Sequence, residues 1–127
     1  MKFKIQQQKF YEGINNVQRS VSTKNTMPIL TGIYLKADKE KGLHLIATNL
    51  ELGIECWLTD KVNIEQEGEI VLSGSNLSNI IRELPEKEVN VVVDPETLEA
   101  DLKCMSSEFN IKGYDPEEFP QLPEVDI

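Results

Sequence analysis

The chain has 127 residues, with 39% hydrophobic and 28% charged residues and a formal net charge of −9. That length holds one domain and buries a core without disulfide or metal staples. The composition is that of a soluble globular protein, and no apolar run approaches the ~20 residues needed to span a bilayer. The charge is uneven. Six basic residues and one acidic residue precede Ala37, and seven basic and twenty-one acidic residues follow Lys36. A basic first quarter on an acidic body is consistent with a surface that meets a polyanion, or with a cluster of cations on a solvated face.

Phe3 and Ile5 alternate with lysines, as in a short strand. A polar Gln-Gln-Gln run follows Ile5 at once, so no secretory signal is read and a cytoplasmic location is expected. Phe10, Ile14, Val17 and Val21 then recur at helical spacing. The opposite face of this helix carries Lys9, Glu12, Asn15, Asn16, Arg19 and Ser20. After a polar loop at Ser22 to Asn25, three strands follow. Ile33, Leu35 and Ala37 alternate, as do Leu43, Leu45 and Ala47, and then Leu52, Ile54, Cys56 and Leu58.

The second half repeats this order. Glu69 to Leu72 reads as a strand. Ser75 is placed to cap a helix with the stripe Leu77, Ile80, Ile81 and Leu84, stopped by Pro85. Val89, Val91 and Val93, then Leu98, Ala100 and Leu102, then Phe109 and Ile111 give three more strands. The expected fold class is α+β: a duplicated β-α-β-β-β unit, an antiparallel sheet with two helices packed on one face. A single domain over 1–113 is expected. Residues 114–127, with three prolines and five acidic residues, read as an acidic, Pro-rich linker towards a second domain.

No catalytic group stands out. His44, the only histidine, lies in a strand facing away from Leu43 and Leu45 and reads as a surface residue. Ser73-Gly74-Ser75 lacks a nucleophile-elbow context, and no phosphate-cradling glycine motif occurs. Cys56 and Cys104 are far apart and read as buried thiols of a reducing compartment. Asp115, Glu117 and Glu118 could attract a hard cation, but the flanking prolines favour a solvated tail. Trp57 reads as half-buried packing. No enzyme activity, metal or cofactor is expected.

Several segments nonetheless carry a resemblance. Met1 to Ile5, Lys24-Asn25-Thr26-Met27-Pro28-Ile29-Leu30, Ala47 to Glu51, Arg82-Glu83-Leu84-Pro85 and Tyr114 to Pro123 look, in order and spacing, like landmarks of the bacterial sliding clamp, the beta subunit of DNA polymerase III. The resemblance covers essentially the whole chain and the first of that family's three domains. It implies the clamp fold and a non-catalytic processivity role in DNA replication. In such a clamp, two protomers close head to tail into a ring around duplex DNA and tether the polymerase. The polymerase and clamp loader would bind later domains, and no membrane is involved. Lys24 matches a basic loop position touching DNA, and Arg82 a basic position near the hole. Arg19 is added from its place on the polar helix face. Ser75 and Asn76 depart from the pattern, since relatives often carry Arg or Lys there, and Asn49 replaces a usual Asp. Phe109 and Ile111 match the strand at the protomer interface, although alternation alone fits an ordinary core equally well. The competing class is a stand-alone acidic α+β protein-interaction domain with a clamp-like fold.

Overall fold

The computed structural model describes residues 1–18, 31–48 and 53–119. In chain order the elements are β1 (Lys2–Gln6), α1 (Gln7–Gln18), β2 (Gly32–Asp38), β3 (Gly42–Thr48), β4 (Gly53–Leu58), β5 (Val62–Gln66), β6 (Gly68–Ser73), α2 (Gly74–Glu83), β7 (Glu88–Val93), β8 (Glu99–Cys104) and β9 (Ser107–Lys112). The α+β class and the doubled strand–helix–three-strand order agree with the sequence. β5 is additional; with only Val62 and Ile64 apolar in five residues, its alternation is too short to stand out. The cap of the second helix lies two residues before the expected one. Ser73 rather than Ser75 is the N-cap, its Oγ accepting from the Asn76 amide at 3.4 Å, and Ser75 is exposed in the first turn.

The strands divide between two antiparallel sheets, ordered β5-β1-β7-β8-β9 and β4-β3-β2-β6. Each half donates its first strand to the other half's sheet. Phe3 of β1 lies opposite Val91 of β7, and Ile70 of β6 lies opposite Leu35 of β2. Because each helix follows a donated strand, α1 and α2 pack against each other and against strands of both sheets. The resulting core is one cluster. Phe10, Ile14 and Val17 of α1 and Leu77 and Ile81 of α2 meet Phe3, Ile5, Leu35, Leu45, Leu72 and Leu102 from the strands. Ile80 is only partly buried at its margin. α1 lies close to the second sheet at Gly13, where a Cβ would come within 2.8 Å of both Leu45 Cδ1 and Leu58 Cδ1.

Of the stretch that reads as a linker, residues 114–119 pack on the domain, and the rest lies outside the described residues. The Tyr114 amide donates to the Val71 carbonyl at 2.8 Å, extending the second sheet beyond β6 by one bridge. A single 3-10 turn, Pro116–Glu118, then delivers Phe119 onto Val71, Tyr34 and Ile46 on the sheet's outer face. The aromatic rings of Tyr34 and Phe119 are 5.5 Å apart. The physical reason is apolar area. Val71 and Ile46 point away from the main core and would otherwise meet water.

A buried glutamine joins the two halves. Gln7, in the run that reads as merely polar, donates from Nε2 to the Ile81 carbonyl at 2.6 Å, and its backbone amide donates to the Lys87 carbonyl at 3.0 Å. The first turn of α1 is thus tied to the last turn of α2 and to the loop that follows. Gln7→Met keeps the length of the side chain and deletes the donor. It should destabilise the fold by about 1–2 kcal/mol, seen as a lower urea midpoint, whereas Gln8→Met at the exposed neighbour should stay within about 0.5 kcal/mol.

Candidate nucleic-acid interface

The joined helices present one continuous polar surface. On α1 it consists of exposed Gln8, Glu12, Asn15 and Asn16, with Lys9 half-buried beside them. On α2 it consists of Ser75, Asn76, Asn79, Arg82 and Glu83. The charged residues of the two helices are Lys9 and Glu12, Arg82 and Glu83, so the helical elements have no net charge. Arg82 is oriented locally: Nη2 donates to Asn79 Oδ1 at 3.4 Å, and Nε is 3.9 Å from Glu83 Oε1. Exposed pairs of this kind contribute little to stability, so the guanidinium can be drawn away by a better anion at small cost. Arg19 and Lys24 lie outside the described residues.

The described cations of the basic first quarter do not form one surface. Lys2 and Lys4 project from the outer face of β1, opposite the core residues Phe3 and Ile5, and each is 3.4 Å from a carboxylate oxygen of Glu65. These two ammonium groups hold the Glu65 carboxyl below its usual range, against the opposing push of desolvation. Lys36 lies on the outer face of β2, opposite Glu69 in the register. Strand alternation sends these three cations to the side away from the helices, which a count along the chain cannot reveal.

β9 is an edge strand of the five-stranded sheet. Phe109 and Ile111 share a face by alternation but differ in burial: Ile111 is 6% exposed and belongs to the main core, whereas Phe109 is 38% exposed. The opposite face of β9 carries Glu108, Asn110 and Lys112; Lys112 Nζ donates to the Thr97 carbonyl at 2.7 Å and Asn110 Nδ2 to Asp101 Oδ1 at 2.7 Å.

No group of three or more His, Cys, Asp or Glu side chains that could hold a metal occurs among the described residues. Burial pushes the Cys104 thiol up, and its Sγ lies 3.6 Å from the Pro85 carbonyl, so it is a packing residue rather than a nucleophile. Cys56, expected to be buried, is only partly so, because it sits on edge strand β4.

Residues 1–123 match the family model described as DNA polymerase III beta subunit, N-terminal domain. The chain belongs to that family. It is 36% identical to the beta sliding clamp of Halalkalibacterium halodurans and 35% identical to that of Bacillus subtilis, in each case over 99% of this chain and 34% of the relative. The fold matches the crystal structure of the DNA polymerase sliding clamp from Bacillus subtilis with a TM-score of 0.92 at 34% identity, covering 99% of this chain and 34% of the other. The beta subunit from DNA polymerase of Streptococcus pyogenes gives the same TM-score at 32% identity, covering 99% of this chain and 33% of that one. The chain thus spans about a third of the length of these clamps.

The contrast between the two residues of β9 can be measured directly. Ile111→Ala should cost about 2–4 kcal/mol, as a buried core truncation does, while Phe109→Ala should cost about 1 kcal/mol or less in the isolated domain. Urea unfolding of both variants distinguishes a core position from one left for a partner.

Proposed function

We propose that this chain acts as the first domain of a sliding clamp, a non-catalytic processivity element of a replicative DNA polymerase in the cytoplasm. The observation that carries it is the paired-helix surface of a beta-subunit N-terminal domain, backed by two sheets whose outer faces hold their own ion pairs. Within a full ring, the helices would face duplex DNA and the sheets would face outwards. Arg82 from α2, with Arg19 and Lys24, would hold phosphates. Such interactions retain the duplex without reading its bases, as a sliding tether requires. An acidic exterior discourages DNA from binding elsewhere. Edge strand β9, with Phe109 and Ile111, would continue a sheet across the boundary of a head-to-tail homodimer. Polymerase and clamp loader would dock on later domains, and no cofactor or metal is required. Support comes from the family match and from the polar character of the helix surface.

The second reading, an acidic protein-interaction domain, is favoured by the net charge of −9 and by the neutral helix pair. The two separate in a salt titration of duplex binding, using a three-domain clamp with this chain as its first domain. Lys24→Glu should weaken binding more than Lys61→Glu, and removal of each cation that neutralises a phosphate should lower the slope of log K against log salt by about one. Lys61 is a fair control, an exposed cation in the turn after β4. Equal effects of the two substitutions would remove Lys24 from the interface, and no salt dependence at all would favour the protein-interaction reading.

A further inference from the structure

One cluster on the outer face of the four-stranded sheet has no part in the proposed function. His44 of β3 and Trp57 of β4 are opposite each other in the register. Their rings stack face to face, with centroids 3.8 Å apart and 5° between the planes. Trp57, the chain's single tryptophan, is 41% exposed, while the His44 side chain beneath it is 13% exposed. His44 Nε2 is buried with no hydrogen-bond partner among the described residues. The nearest anionic atom is Glu55 Oε2 at 3.5 Å, too long for a good hydrogen bond. β4 is an edge strand whose inward residues Ile54, Cys56 and Leu58 are only partly buried, so its core packing is thin. It is held by the ladder to β3, by α1 packing against its inner face around Leu58, and by this stack on its outer face.

We propose that His44 and Trp57 form a pH-sensitive latch on edge strand β4, closed while the imidazole is neutral and loosened when it takes up a proton. In the stack, a neutral ring tolerates an Nε2 with no close partner, but a charged ring is poorly served: the only carboxylate near its proton among the described residues is half-exposed Glu55 at 3.5 Å, and burial denies it water. The surroundings do not rescue it. Glu55 on β4 favours the charge by attraction and by a long hydrogen bond, but burial outweighs it, and Lys36 across the register on β2 and Lys41 in the β2–β3 turn repel the charge. Glu69 on β6 lies beyond Lys36, opposite it. Tyr34, next along β2 on the same face, stays neutral because burial, then Glu69, push its phenol far above its ordinary value. Burial, the largest influence, leaves His44 below its ordinary value. The unfolded chain therefore takes up the proton first as the pH falls. The latch's stabilisation is complete above about pH 6.5, the ordinary histidine value, and is lost as the pH falls through the folded value.

The 127-residue chain carries its own reporter in Trp57. Lowering the pH from about 7 to about 5, across the ordinary histidine range, should shift Trp57 emission to longer wavelength. It should also raise amide exchange in Gly53–Leu58, corrected for intrinsic pH dependence, at least several-fold relative to β8. His44→Phe keeps a flat ring against the indole and cannot titrate, so both responses should vanish. Glu55→Gln removes the one attracting charge and should move the transition to lower pH, a shift that loss of packing alone does not produce. An identical response in His44→Phe overturns the latch. So does a fall in emission without a shift and with unchanged exchange in β4, which would mean the charged ring stays stacked. An imidazole titrating at or above its ordinary value by NMR overturns it as well.

Discussion

Neither half of this chain can complete a sheet by itself. β1 must sit between β5 and β7, and β6 must pair with β2, so each half supplies the strand that the other half's sheet lacks. The two exchanged strands bury Phe3, Ile5, Ile70 and Leu72 in a common core. At roughly 1.5–3 kcal/mol per buried large apolar side chain, the exchange is a substantial fraction of a small domain's net stability. It also places the helices. α1 and α2 begin where the donated strands end, so crossing the strands brings the helices side by side, and Gln7 fixes the join through the Ile81 and Lys87 carbonyls. A continuous helical surface is thus a consequence of strand pairing rather than of anything in the helices alone.

The same arrangement sorts the charges. Strand alternation turns Lys2, Lys4 and Lys36 outwards, where Glu65 and Glu69 lie near them, and leaves the helix pair polar and electrically balanced. In the proposed role, attraction of a duplex would fall to a few cations, Arg82 among the described residues.

The exposed edges of the two sheets are handled differently. β6 is bridged by Tyr114, and the turn after it lays Phe119 over Val71 and Tyr34. β5 carries no large exposed apolar residue. Among the described residues nothing pairs with the outer edges of β9 and β4, one beside Phe109 and the other beside the His44–Trp57 stack. An unpaired edge is a template for further pairing, and both lie where a longer chain or a second copy could use them.

The periodicities along the chain settle a good deal. The stripes Phe10, Ile14, Val17 and Leu77, Ile81 are helices with those residues inside, and the alternating triplets are strands with Leu35, Leu45, Val91 and Leu102 inside. The doubled order and the α+β class are legible for the same reason: burial on one face imposes a local period, and a period can be read without knowing the partner. The motifs around Lys24 to Leu30 and Arg82 to Pro85 point to the family that the match over residues 1–123 shows. What stays hidden depends on partners distant in sequence. The split into two sheets, the exchange of β1 and β6, the buried role of Gln7, the difference between Phe109 and Ile111, and the face on which each lysine emerges are all set by residues tens of positions away. His44 shows the distinction in one side chain. Its strand position is plain from alternation, but only the approach of β4 covers it with Trp57, and a surface residue becomes a half-buried one. Local period determines which way a side chain points; tertiary pairing decides what it meets there.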